Sequence, residues 1–114
     1  MATWGLEFYP AEGQRHSPVD ALKKITSPLD TARIVAKLQS LQELDQVQWT
    51  HMGIKQVKGL AQMRQGDFRV YFKLIDGTIV VFHACRKVTQ KAKDTDLAIA
   101  VSNYEDYLNE VGND

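Results

Sequence analysis

The run Phe68-Arg69-Val70-Tyr71-Phe72-Lys73-Leu74 alternates strictly. As a strand it turns Phe68, Val70, Phe72 and Leu74 to one face and Arg69, Tyr71 and Lys73 to the other. Same-face residues stand roughly 7 Å apart, so two cations and a phenol fall at about the spacing of successive phosphates in a nucleic-acid strand. In the run before it Leu60, Gln62 and Arg64 share a face, and hairpin pairing brings Arg64 beside Arg69. Arg86, Lys87, Lys91 and Lys93 then follow, with no acid between Asp76 and Asp94. Cutting RNA would need an acceptor for the 2′-hydroxyl proton, fixed cations on the crowded phosphate and a donor for the leaving oxygen. Arg64, Arg69, Arg86 and Lys87 are candidate cations, and Tyr71 and His83 candidate proton carriers. Lys55, Lys58, Lys73, Lys91 and Lys93 are candidate RNA contacts, and Tyr71, with Phe68 or Trp49, could stack on a base.

Each of these residues also has a plain structural reading. A face of Arg, Tyr and Lys is what the wet side of a soluble antiparallel sheet looks like, with long stems laid over apolar surface. His83 lies in the apolar run Ile79-Val80-Val81-Phe82-His83-Ala84-Cys85, where a hydrogen-bonded core histidine is the first expectation and catalytic use the second. Cys85 reads as a small buried apolar residue, His51 as a surface residue and Trp49 as packing over a helix end.

The elements that must hold these side chains follow from local signals. Trp4 to Tyr9 reads as an opening strand closed by Pro10 and Gly13. Ser17-Pro18-Val19-Asp20 and Ser27-Pro28-Leu29-Asp30 each supply a capping Ser, a Pro at the first helical position and an acid in the first turn. The second helix should bury Ala32, Val35, Leu38 and Leu41, with Leu44 or Asp45 at its end. Leu60 to Arg64, Phe68 to Ile75 and Thr78 to Cys85 form a three-stranded meander, punctuated by Gly66-Asp67 and by Asp76-Gly77, which suits a tight hairpin. A last helix from Asp94 to about Glu110, capped by Asp94 or Thr95, carries Leu97, Val101, Tyr104 and Leu108 on one face. The expectation is an α+β domain spanning 1–114: two N-terminal helices on a small antiparallel sheet, the meander plus an N-terminal strand, then a C-terminal helix.

A chain of 114 residues with 44% apolar side chains can bury one modest core. It shows no apolar run long enough for a membrane helix, and its start lacks the basic and apolar regions of a secretion signal, so a cytoplasmic protein is expected. A single cysteine and three scattered histidines exclude an internal disulfide and argue against a metal enzyme. The formal net charge of zero conceals a division: −1 over residues 1–50, +7 over 51–93 and −6 over 94–114. A basic centre beside an acidic end fits a polyanion site, or internal charge pairing that neutralises both.

Taken in order, Gln56-Val57-Lys58-Gly59-Leu60-Ala61-Gln62-Met63-Arg64, Phe68-Arg69-Val70-Tyr71-Phe72, Ile79-Val80-Val81-Phe82-His83 and Lys87-Val88-Thr89-Gln90-Lys91 resemble the signatures of the RelE/ParE toxin superfamily, in its HigB-like, phage-derived branch. The resemblance runs from about Lys55 to Tyr107. It departs from the family pattern at Ala61, in place of Trp, at Val88, in place of Lys, at Ala84-Cys85, in place of Gly-Phe, and at Lys93, in place of Pro. It implies a RelE-like fold and the toxin of a bacterial type II toxin–antitoxin pair. Such a toxin would be a metal-independent endoribonuclease without cofactor, cutting mRNA on the ribosome and neutralised by a small helix-turn-helix antitoxin. Lys58, Arg64, Arg69, Lys87 and Lys91 match the family's basic positions, and Tyr71 and His83 its aromatic and histidine positions. A ParE-type toxin that inhibits DNA gyrase without cutting, and an inactive binding domain of the same fold, are the alternatives.

Overall fold

Two copies of one capping signal start the helical half of the chain. The computed structural model describes residues 3–86 and 90–112, with side chains described for 3–86 and 94–112. Ser17 Oγ accepts the backbone N–H of Asp20 at 3.3 Å, and Ser27 Oγ that of Asp30 at 3.2 Å. Pro18 and Pro28 open the helices, at positions where an N–H would have no intrahelical partner. Helix α1 (Pro18–Ile25) buries Leu22, and α2 (Pro28–Gln42) buries Ile34, Leu38 and Leu41. The stripe expected on α2 is therefore corrected at its start. Ala32 is exposed and Val35 half-buried, because Ile34, one turn before Leu38, offers more apolar surface to the core.

Two indoles hold the end of α2. Trp49, in a short 3-10 helix (Gln46–Met52), donates from Nε1 to Leu41 O at 3.1 Å, and Trp4 Nε1 donates to Leu44 O at 2.9 Å. The first serves a carbonyl of the helix's last turn, the second one just past its C-cap, and Trp49 packs over a helix end as expected.

One five-stranded sheet, β1 (Gly5–Phe8), β2 (Lys55–Val57), β3 (Leu60–Gln65), β4 (Phe68–Ile75) and β5 (Thr78–Arg86), runs in the order β1-β5-β4-β3-β2. Strands β3, β4 and β5 are the expected meander. Asp76 (φ 49°) and Gly77 (φ 78°) supply the two left-handed positions of the β4–β5 turn. Two corrections apply to the expected sheet. Strand β2 joins β3 through a second turn of the same kind, Lys58 (φ 50°) and Gly59 (φ 83°), and at three residues is too short to show a pattern. Strand β1 lies parallel to β5, so the sheet is mixed rather than antiparallel.

Helix α3 (Gln90–Gly112) begins before Asp94 and Thr95, which sit inside it rather than capping it. The helix formers Lys91, Ala92 and Lys93 carry it upstream. Its inner face is Leu97, Ala100 and Asn103, with Val101 and Tyr104 half-buried and Leu108 exposed. The layers are then α1 and α2, sheet, α3. Leu22, Ile34, Leu38 and Leu41 pack on Met63, Val70, Phe72, Ile79 and Val81, while Leu97 and Ala100 pack on Leu60, Tyr71, Val80 and Phe82. An α+β domain is what the sequence predicts, but its expectation of one solvated sheet face is overturned. No helix among the described residues is long and apolar enough to cross a membrane.

Candidate functional site

A bulge in β5 decides which way the polar side chains face. Phe72 pairs with Val81 while Tyr71 pairs with His83, so Phe82 is an extra residue in the ladder. Unbroken alternation would turn His83 toward α1 and α2 with Ile79 and Val81. The bulge instead sets His83 and Cys85 on the α3 side, opposite Tyr71 and Arg69. Two cross-strand rows result, Gln62–Tyr71–His83 and Arg64–Arg69–Cys85.

Most of this patch is sealed. Gln62 and Arg69 are 3% exposed, Tyr71 0% and His83 7%. His83 Nε2 lies 2.9 Å from Asp96 Oδ1 on α3. Gln62 Nε2, Arg69 Nε, the Tyr71 hydroxyl and His83 Nδ1 have no hydrogen-bond partner among the described residues. Each such atom costs about 1–3 kcal/mol of lost hydration, a concentration that ordinary core packing avoids.

Burial, with a smaller contribution from Cys85, pushes the Tyr71 phenol up to about 12 against the opposing charge of Arg69. Burial, followed by the charge and hydrogen bond of Asp96, pushes the Cys85 thiol up to about 12. Both groups hold their protons at neutral pH, and neither is a base or a nucleophile. Tyr71 and Phe68 are buried beneath other elements and closed to base stacking, as is Trp49, which corrects their reading as stacking platforms.

The remaining candidates divide. Arg64 is exposed, in register with buried Arg69. Arg86 is exposed at the end of β5, its guanidinium 6.0 Å from the Phe68 ring centre. Lys55 lies exposed on edge strand β2, and Lys58, at the β2–β3 turn, faces a hollow shared with Asp94 and Glu105 of α3. Lys73 is spent on structure: Nζ donates to Gly59 O at 2.9 Å and sits 5.6 Å from the Tyr104 ring centre. Lys87 and the side chains of Lys91 and Lys93 lie outside the described residues.

His83 and Arg86 open onto a cleft of about 540 Å³ between α1, the loop before it, and the end of β5. Arg15, His16 and Lys24 line its other wall, with Asp20 and Asp96 beside them. These three residues were missed by reading the sequence, because they sit in the nearly neutral first segment, away from the basic centre. The available signal was the pair Arg15-His16 set directly before a helix cap. His16 takes φ 61°, a left-handed conformation uncommon for a side-chain-bearing residue.

His83, Cys85 and Asp96 are the one group among the described residues whose ligand atoms, within 4.8 Å of one another, could hold a metal ion. A cation there would have to displace the proton of a thiol held near 12 and sit beside the Arg69 guanidinium opposite Cys85. The trio is better described as a hydrogen-bonded cluster. No family model, curated protein or solved structure matches this chain.

Proposed function

We propose that the chain is a toxin of the RelE/ParE kind, an endoribonuclease that cuts mRNA at the ribosome in the cytoplasm and is neutralised by a small helix-turn-helix antitoxin. The observation that carries the reading is the cleft whose lining brings Arg15, Lys24 and Arg86 together with His16 and the edge of His83, beside Asp20 and Asp96. Three cations can hold a phosphodiester and offset charge on a five-coordinate phosphorus. His16, exposed in the same lining, supplies an imidazole that can move the protons that attack by the 2′-hydroxyl requires. Acid–base groups and cations suffice for that chemistry. Arg64 stands in register with Arg69, as hairpin pairing led one to expect.

Induction of the chain in bacteria should stop growth and create new 5′ ends in mapped transcripts. Growth arrest with intact transcripts and blocked supercoiling would replace this reading with gyrase inhibition. Growth without arrest would leave a binding domain.

A further inference from the structure

We propose that the cleft continues into a second subsite, a track of cations along α2 that takes the backbone of a single RNA strand beyond the phosphate held in the cleft. That the strand is mRNA rests on the ribonuclease reading; the track itself rests on α2. A second hollow, of about 300 Å³, lies between the start of α2, the β3–β4 turn and the end of β5. Ile25 and Arg86 line both recesses, so the two adjoin. Arg86 is the post between them, its guanidinium 6.0 Å from the ring centre of Phe68, which lines the second hollow.

Arg33, exposed on α2, lines the same hollow. Lys37 follows one turn later, about 6 Å along the helix axis, and its Nζ donates to the carbonyl of Arg64 at 2.6 Å. An ammonium carries three protons, so this bond ties α2 to β3 beside the exposed Arg64 and leaves donors over. The order along the surface is therefore Arg15 and Lys24, then Arg86, then Arg33, then Lys37 with Arg64.

These cations have no acid partners. Among the described residues the ion pairs are Lys23 with Glu12 and His83 with Asp96, and no member of the track is in either. The neighbouring acids are engaged elsewhere: Asp20 Oδ2 accepts the N–H of Gly13 at 2.9 Å, and Asp30 Oδ2 the hydroxyl of Ser27 at 3.0 Å, while Asp67 stands exposed at the β3–β4 turn. A row of like charges without counter-charges repels itself, and a polyanion relieves the repulsion while releasing its own counterions. The row turns from α1 across the end of β5 onto α2, a path that a flexible strand follows and a stiff duplex does not. Phe68 is the one ring lining the second hollow, and it is buried, so the track reads phosphates and is indifferent to base.

The test uses the full chain and uridine oligonucleotides of two and eight residues, 2′-O-methylated so that they cannot be cut, with fluorescence anisotropy at several salt concentrations. Wild-type affinity should climb with length, and its salt dependence should steepen by roughly 0.7 log units per decade for each phosphate neutralised. Arg33→Gln with Lys37→Gln should weaken binding of the longer strand about tenfold near 0.1 M salt and flatten its slope by about 1.4, with the dinucleotide held within about twofold. Arg33→Gln alone, at an exposed side chain, should flatten the slope by about half as much. Arg86→Gln should weaken both lengths, and Lys23→Gln, off the track, neither. An unchanged slope in the α2 variants, or equal losses at both lengths, overturns the track and leaves the ribonuclease reading standing. A duplex of the same length that binds as tightly as the single strand overturns the single-strand assignment. Wild-type protein that follows these slopes yet leaves mRNA whole on translating ribosomes overturns the ribonuclease reading and supports the track as a single-strand site.

Discussion

Arg86 and Arg69 carry the same charge but allow different experiments. Arg69 is 3% exposed, so Arg69→Ala removes packing as well as charge and reports on folding as much as on chemistry. Arg86 is exposed on the cleft. On the proposed ribonuclease reading, Arg86→Ala, and more so with Lys24→Ala, should relieve growth arrest while circular dichroism and the melting temperature hold. Full toxicity in the double variant would remove the cleft from consideration. The Cys85 thiol gives a second residue-scale expectation. A folded-state value near 12, above that of the unfolded chain, means that the unfolded state releases its proton first as pH rises. Stability should be unaffected by this group below about pH 9 and decline above it, by at most about 2 kcal/mol at pH 10.5. Urea midpoints at pH 8 and pH 10.5 check this, and Cys85→Ala should flatten the difference. The Tyr71 phenol adds a loss of the same sign at higher pH.

At the scale of elements, local chemistry was legible and tertiary choices were not. Ser17, Ser27 and the Asp76-Gly77 pair act through atoms one to three residues away, so their caps and turn could be placed from the sequence. Gly77→Ala should therefore cost about 1 kcal/mol or more, since φ 78° is strained for any side chain; thermal unfolding measures it. The bulge at Phe82 has no such signature. It depends on how β5 pairs with β4, and without it alternation points His83 toward the wrong layer. The burial of Tyr71 and Arg69 was equally hidden, because an Arg-Tyr-Lys face reads as wet unless a third layer covers it. Only the packing of Leu97 and Ala100 on the sheet reveals that layer. His16 and Lys24 escaped for a related reason: their wall of the cleft meets β5 only in the folded chain.

Across the whole molecule, the +7 centre and the −6 tail are not simply laid against each other. Helix α3 meets the sheet through Asp96, Leu97, Ala100 and Asn103, and Glu105, Asp106 and Glu110 are exposed. Glu110→Gln should leave RNA affinity within about twofold at physiological salt. Asp106→Asn should raise it a few-fold, since Asp106 shares a hollow with Arg15 and His16; filter binding at several salt concentrations separates the two. The parallel pairing of β1 with β5 has a consequence in time. Residues 5–8 wait for residues 78–81, and the cleft joins a wall from residues 14–25 to one from residues 83–86 and Asp96. Contacts so distant along the chain form late, and during synthesis they cannot form until the distal wall has left the exit tunnel. On the ribonuclease reading proposed above, the cleft is therefore complete only once both of its walls, the second reaching Asp96, stand outside the ribosome.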